Sequence, residues 1–305
     1  MHWGQIKSLL ILSFLILDVY LFMQFLDKKD QADIGILEQQ TSTIEERLNA
    51  EDITFKNLPE QEYEEAFISV QQKMFNKDEL SSLKLNELQN TYLFNKYFLM
   101  SSIKEPIKIE EKASKEEINE IFEELVYYSE EYSYWNWNKE LNVLIFFQNK
   151  MDRPVYYNQN GLVLLFLNNQ NEVTFYTQTM LGDPEPIAEK KKLIKPIRAI
   201  ETLYQDSELK SGDNISKVNI GFHTRVPFET GVQVFAPIWK VNVNNEKDYF
   251  VNAIEGFTFS TDEQEFLEQV IDSALEKVQI PSLDTDRNLE KMMNQLNERL
   301  EKTSG

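Results

Sequence analysis

Acid–base chemistry is the first thing the side chains offer: 51 aspartates and glutamates stand against 31 lysines and arginines in 305 residues. Paired carboxylates cleave glycosidic bonds, but with acids this abundant any two can be imagined as a pair, so the count singles out none. The chain has no cysteine, which removes thiol nucleophiles, disulfides and thiolate metal sites together. Two histidines, His2 and His223, are too few for a multi-His zinc centre and make a His-based triad a poor reading. No glycine-rich phosphate loop, EF-hand or GxSxG pattern is present. The residues thus point to no catalytic group, no cofactor and no metal, and His223 reads as a half-buried polar side chain in a strand.

A formal net charge of −20 argues against nucleic acid, whose binders neutralise phosphates with basic patches. It also argues against broad adhesion to anionic lipid, and reads as a solvated acidic surface. Two groups remain that could recognise something. Asp18 sits inside an apolar run, where an ionisable side chain usually finds a partner on another helix; the bland alternative is a tolerated, wetted Asp. At 100° per residue, Ser13, Tyr20 and Gln24 fall within about 40° of one another, on the side away from Asp18. Two polar stripes could serve two neighbouring helices. The second group is aromatic: Tyr127, Tyr128, Tyr132, Tyr134, Trp135 and Trp137. Tyr132, Trp135 and Trp137 are candidates for stacking sugars or anchoring a protein partner, against the plainer reading of core plus strand edge.

The element that would carry Asp18 is the run 8–26, SLLILSFLILDVYLFMQFL. Its nineteen residues reach roughly 28 Å as a helix, against a hydrocarbon core of about 30 Å. Thirteen are Leu, Ile, Val or Phe, worth roughly −4 to −8 kcal/mol on insertion against about +3 kcal/mol for the Asp. It is too long for a signal-peptide core and lacks small residues at its end, so an uncleaved anchor is expected. Lys7 before it and Lys28 and Lys29 after it leave the orientation open.

Behind the anchor, residues 27–40 read as a polar linker. A helix is expected at 43–50, strands at 53–56 and 66–71, helical spacing at 77–88 and one long strand at 92–103 (YLFNKYFLMSSI). Residues 114–131 read as a helix with a capping box, Ser114 with Glu117. Strands follow at 141–147, 155–157, 162–167 and 173–180, the last two joined as a hairpin through Asn168-Asn169-Gln170-Asn171. Asp183 and Glu185 around Pro184 read as a turn. A helix restarts at Pro196, then come strands at 216–226, 232–243 and 249–254. Thr261 with Gln264 caps a helix, and another covers 286–302. Adjacent strands linked by hairpins, with interspersed helices, predict α+β architecture with antiparallel sheets. The expected division is 1–26 leader and anchor, 27–40 linker, 41–150 first lobe, 151–280 second lobe and 281–305 helical tail.

The leader Met1-His2-Trp3-Gly4-Gln5-Ile6-Lys7, the helix FLILDVYLFMQFL with Asp18, and the late pair 234–240 (VFAPIWK) and 248–256 (DYFVNAIEG) together resemble the YycI (WalI) family in order and spacing over roughly residues 1–280. The helix at 196–204 and the hairpin after it look like a PepSY-type module. The final helix departs from the family pattern. The resemblance implies a single-pass protein of the Gram-positive cell membrane, amino terminus cytoplasmic, with a two-lobed extracellular domain. It further implies a non-enzymatic accessory regulator of the cell-wall sensor histidine kinase of the WalK (YycG) type, acting beside a YycH-like sister protein. A membrane-anchored wall-glycan binding module is the alternative that the aromatic cluster keeps open, and an envelope hydrolase is a third reading.

Overall fold

In the computed structural model the described residues are 3–31, 37–82, 87–224, 231–259, 261–278 and 286–303. The structure mixes α and β with antiparallel sheets and divides into two units, Met1–Thr54 with Leu209–Asn214, and Phe55–Glu208 with Ile215–Gly305, the second of which carries the sheets.

The first unit holds the helix Trp3–Gln31 and a second helix, Leu37–Ala50. Apolar residues occur on every side of the first helix, so it has no single face to bury. The stretch expected as a polar linker contains the end of one helix and the start of the next, and residues 32–36 lie outside the described ones. After the second helix the chain is tied down locally. The Ser211 hydroxyl and the Gly212 N–H both donate to the Glu51 carbonyl, and Thr54 N–H donates to the Asp213 carbonyl. Gly212 takes φ +88°, a left-handed turn that suits glycine.

Among the described residues two large sheets build the second unit, beside a two-stranded pair of Glu64–Glu65 with Lys191–Lys192. The first runs Gln89–Phe94, Phe98–Lys108, Glu172–Thr179, Leu162–Leu167, Val143–Lys150, Tyr132–Asn138. Its central strands are buried on both faces and alternate between two cores. Val143, Ile145, Phe147, Leu164 and Phe166 meet Leu267, Ile271, Met292 and Leu296 of the helices Glu263–Lys277 and Arg287–Thr303. Leu144, Phe146, Val163 and Leu165 meet Ile118, Phe122 and Leu125 of the helix Lys115–Leu125. Phe122 stacks on Phe146 at 3.7 Å. In the second sheet, residues 232–235 of the Val232–Val243 strand pair with Ile68–Gln72, and the rest lies between Asn214–His223 and Lys247–Asn252.

Local signals were followed where they were explicit. Ser114 Oγ accepts from Glu117 N–H at 3.2 Å while Glu117 accepts from Ser114 N–H at 2.7 Å, closing the capping box. Pro196 opens the helix Pro196–Gln205, and Asn168 Oδ1 accepts from Gln170 and Glu172 N–H in the hairpin turn.

Several expectations are corrected. The single long strand at 92–103 is a hairpin, because Asn95 and Lys96 both take positive φ and reverse the chain. The helix from Ser114 stops at Leu125, where Val126 and Tyr127 leave it to enter the core. Asp183-Pro184-Glu185 is not a turn but part of the edge strand Leu181–Pro186, a position where proline's missing N–H costs nothing. Asp262, not Thr261, caps the helix Glu263–Lys277 by accepting from Glu265 N–H. Near 150, where the two lobes are expected to divide, Asn149–Lys150 and Arg153–Pro154 make a tight hairpin through Met151 and Asp152, and the strands change sheet near Met180; neither feature bears on the division into lobes.

Candidate functional site

On the helix Trp3–Gln31 every described side chain from 10 to 24 is exposed. Gln24 Nε2 donates to the Tyr20 hydroxyl at 3.0 Å, one turn away, so these two members of the polar stripe are already joined, with Ser13 on the same side. Asp18 meets no hydrogen-bonding partner among the described residues. Among the described residues no helix is long and apolar enough to cross a membrane; on this helix the described side chains are Lys7 and residues 10–24.

The aromatic cluster divides between core and margin. Tyr132 is buried, donates to the Thr179 carbonyl at 2.6 Å and accepts from Gln178 Nε2 at 3.3 Å; burial pushes its phenol well above the usual range. Trp137 is also buried, its indole N–H held by Asn142 Oδ1 at 3.0 Å and its ring covered by Lys139. Tyr127 is buried, while Tyr128 and Tyr134 are half-buried against the core that contains Phe122. Trp135 alone of the three candidates keeps a substantial exposed part.

Around Trp135 the fold assembles groups from distant parts of the chain. Its ring meets Phe147 at 5.4 Å, Tyr156 at 5.2 Å and Tyr157 at 5.9 Å, with Lys240 Nζ above it at 4.4 Å. Its indole N–H donates to Glu263 Oε2 at 2.9 Å, and the amides of Asn136 and Asn138 donate to Glu263 Oε1 at 3.2 Å. A carboxylate at the first turn of its helix is thus held by three neutral donors, which latches that helix to the Tyr132–Asn138 strand. Burial pushes the Lys240 ammonium below its usual value, opposed by Asp248 at 3.2 Å. Cation, indole and carboxylates satisfy one another here, an arrangement suited to holding elements together.

His223 is buried beside Phe259, and burial pushes its imidazole down to about 4, so the ring is neutral near pH 7. Among the described residues no group of three metal-ligating side chains converges. Glu263, Lys240, Asp248, Tyr156 and Tyr157 escaped sequence reasoning because their partners lie far along the chain and no spacing rule links them.

The profile of the family described as YycI protein matches residues 31–254, well over half of the chain. The chain belongs to the YycI family. Membership makes it a regulatory accessory protein associated with the WalK/WalR two-component system. The matched region takes in the first sheet and all of the second but its last strand, Thr258–Phe259, and ends before the helices Glu263–Lys277 and Arg287–Thr303. No curated protein matches the sequence. Among solved structures, the chain is similar to an uncharacterized protein from Eubacterium rectale ATCC 33656, at 11% identity and a TM-score of 0.41 over 69% of this chain and 91% of that one. A likeness that weak carries no argument.

Proposed function

We propose that this YycI-family chain is a single-pass, non-catalytic accessory regulator of a WalK-type sensor histidine kinase, with its amino terminus cytoplasmic and its α+β domain outside the cell. The observation that carries the reading is the bare apolar helix at 10–24, a surface far larger than soluble proteins leave uncovered. Lipid would cover most of it. Asp18 on one side, and Ser13, Tyr20 and Gln24 on the other, would meet neighbouring transmembrane helices of the kinase and of a YycH-like partner. Model systems assign about 0.6–2 kcal/mol to each such contact. Regulation then requires the helix to bind one kinase state more tightly than the other, since equal binding shifts nothing.

The test is co-isolation of the kinase with the full chain from membranes. Asp18→Leu should lower recovery several-fold while the chain stays in the membrane fraction; undiminished recovery removes Asp18 from the contact.

A further inference from the structure

The first sheet of the second unit has two edges, and the fold treats them differently. At one, the Tyr132–Asn138 strand carries a bulge between Tyr134 and Asn136 and is latched by Glu263. At the other, the Gln89–Phe94 strand pairs, among the described residues, only with Phe98–Lys108. Lys104 N–H donates to the Leu88 carbonyl and Tyr97 N–H to that of Phe94. With no register shift between them, Asn90, Tyr92 and Phe94 turn their main-chain groups inward, and those of Thr91 and Leu93 face outward with no strand to pair among the described residues.

A groove of about 810 Å³ runs along this edge, walled on the far side by Met74 and Phe75. Both cores of the sheet open into it: Tyr92 and Phe94 belong to one, Leu93, Phe75 and Leu80 to the other, and Met74 is 56% exposed. An incoming strand would therefore find an apolar surface for each set of its alternating side chains. Lys77 and Lys96 line the groove, and among the described residues no aspartate or glutamate does, in a chain of net charge −20. Burial, with Asp286 beside it, pushes the Tyr92 phenol up to about 12, and Asp286 is not part of the lining.

We propose that this groove binds an extended acidic peptide, which adds as a strand to the Gln89–Phe94 edge with its carboxylates toward Lys77 and Lys96. Unpaired main-chain donors and acceptors favour a peptide over an acyl chain, which could use the apolar walls but not the strand edge. The proposal is independent of the transmembrane reading.

The experiment uses the full chain in dodecylmaltoside and two fluorescein-labelled probes, GEVEVEVEG and GKVKVKVKG, read by fluorescence anisotropy. The acidic probe should bind at least tenfold more tightly than the basic one. The double variant Lys77→Glu/Lys96→Glu, both on exposed side chains, should weaken the acidic probe at least tenfold. Leu93→Pro, which removes an outward N–H, should do the same with an unchanged melting temperature; if that variant unfolds, the charge reversal decides alone. Equal binding of the two probes, or binding of the acidic probe that survives charge reversal, overturns the proposal. So does binding of dodecanoate without binding of either peptide, which would assign the groove to an acyl chain.

Discussion

On the helix Trp3–Gln31, Leu15 is 56% exposed and Phe22 59%, whereas Leu164 and Phe166 in the strand Leu162–Leu167 are each 1% exposed. The two sequences are comparably apolar, LILSFLILDVYLFM against LVLLFL, and both lack a polar period. A strand has only two faces, and this sheet covers both, with one helix on one side and two on the other. A helix that is apolar all round offers no such economy, because it has no single face to turn towards a core. Identical chemistry is thus core in one region and unspent contact surface in the other.

The contrast can be broken most directly by charging the strand. Leu164→Asp places a carboxylate inside the core shared with the helices Glu263–Lys277 and Arg287–Thr303, beyond what the domain tolerates, at a cost of more than about 4 kcal/mol. It should abolish the cooperative melt of the purified chain, whereas Leu15→Ala on the helix should leave that melt within about 0.5 kcal/mol. A lowered melt in the Leu15 variant would mean that the helix is part of the folded core after all.

The next effect is a pH dependence from His223. Its folded-state value of about 4 lies below the ordinary imidazole value of 6.5, so protons bind the unfolded chain more tightly. Stability from this residue is full above pH 6.5 and is lost as pH falls towards 4, by about 3 kcal/mol in all. Urea midpoints across that window should flatten in His223→Gln relative to the parent.

Close packing between sheet and loop is tested at Gly221, where an added Cβ would run into the Tyr156 ring and the Pro154 carbonyl. Gly221→Ala should cost about 1–3 kcal/mol in chemical denaturation, and an unchanged midpoint would show that Tyr156 can move aside. The smallest effect belongs to the capping box: Ser114→Ala should lower stability by about 1 kcal/mol, and Ser114→Asp should restore most of it.

Sequence alone was enough wherever one residue acts on near neighbours. The Ser114–Glu117 box, Pro196 at a helix start and the Asn168 turn follow from hydrogen-bond reach, and the strands Val143–Lys150 and Leu162–Leu167, expected at 141–147 and 162–167, follow from short apolar runs; neither signal needs the rest of the chain. The apolar run containing Asp18 was legible for the same reason, since its length and composition are local properties. Tertiary structure decided the remainder. Lys96 carries no signal for a left-handed turn, and only the pairing of Gln89–Phe94 with Phe98–Lys108 holds it there. The core pulls Tyr127 and Tyr132 inward and leaves Trp135 at the margin, because burial depends on what packs opposite. Glu263 meets Trp135 across 128 positions of chain, a distance over which no periodicity operates, so that contact exists only once the sheet has brought the two together.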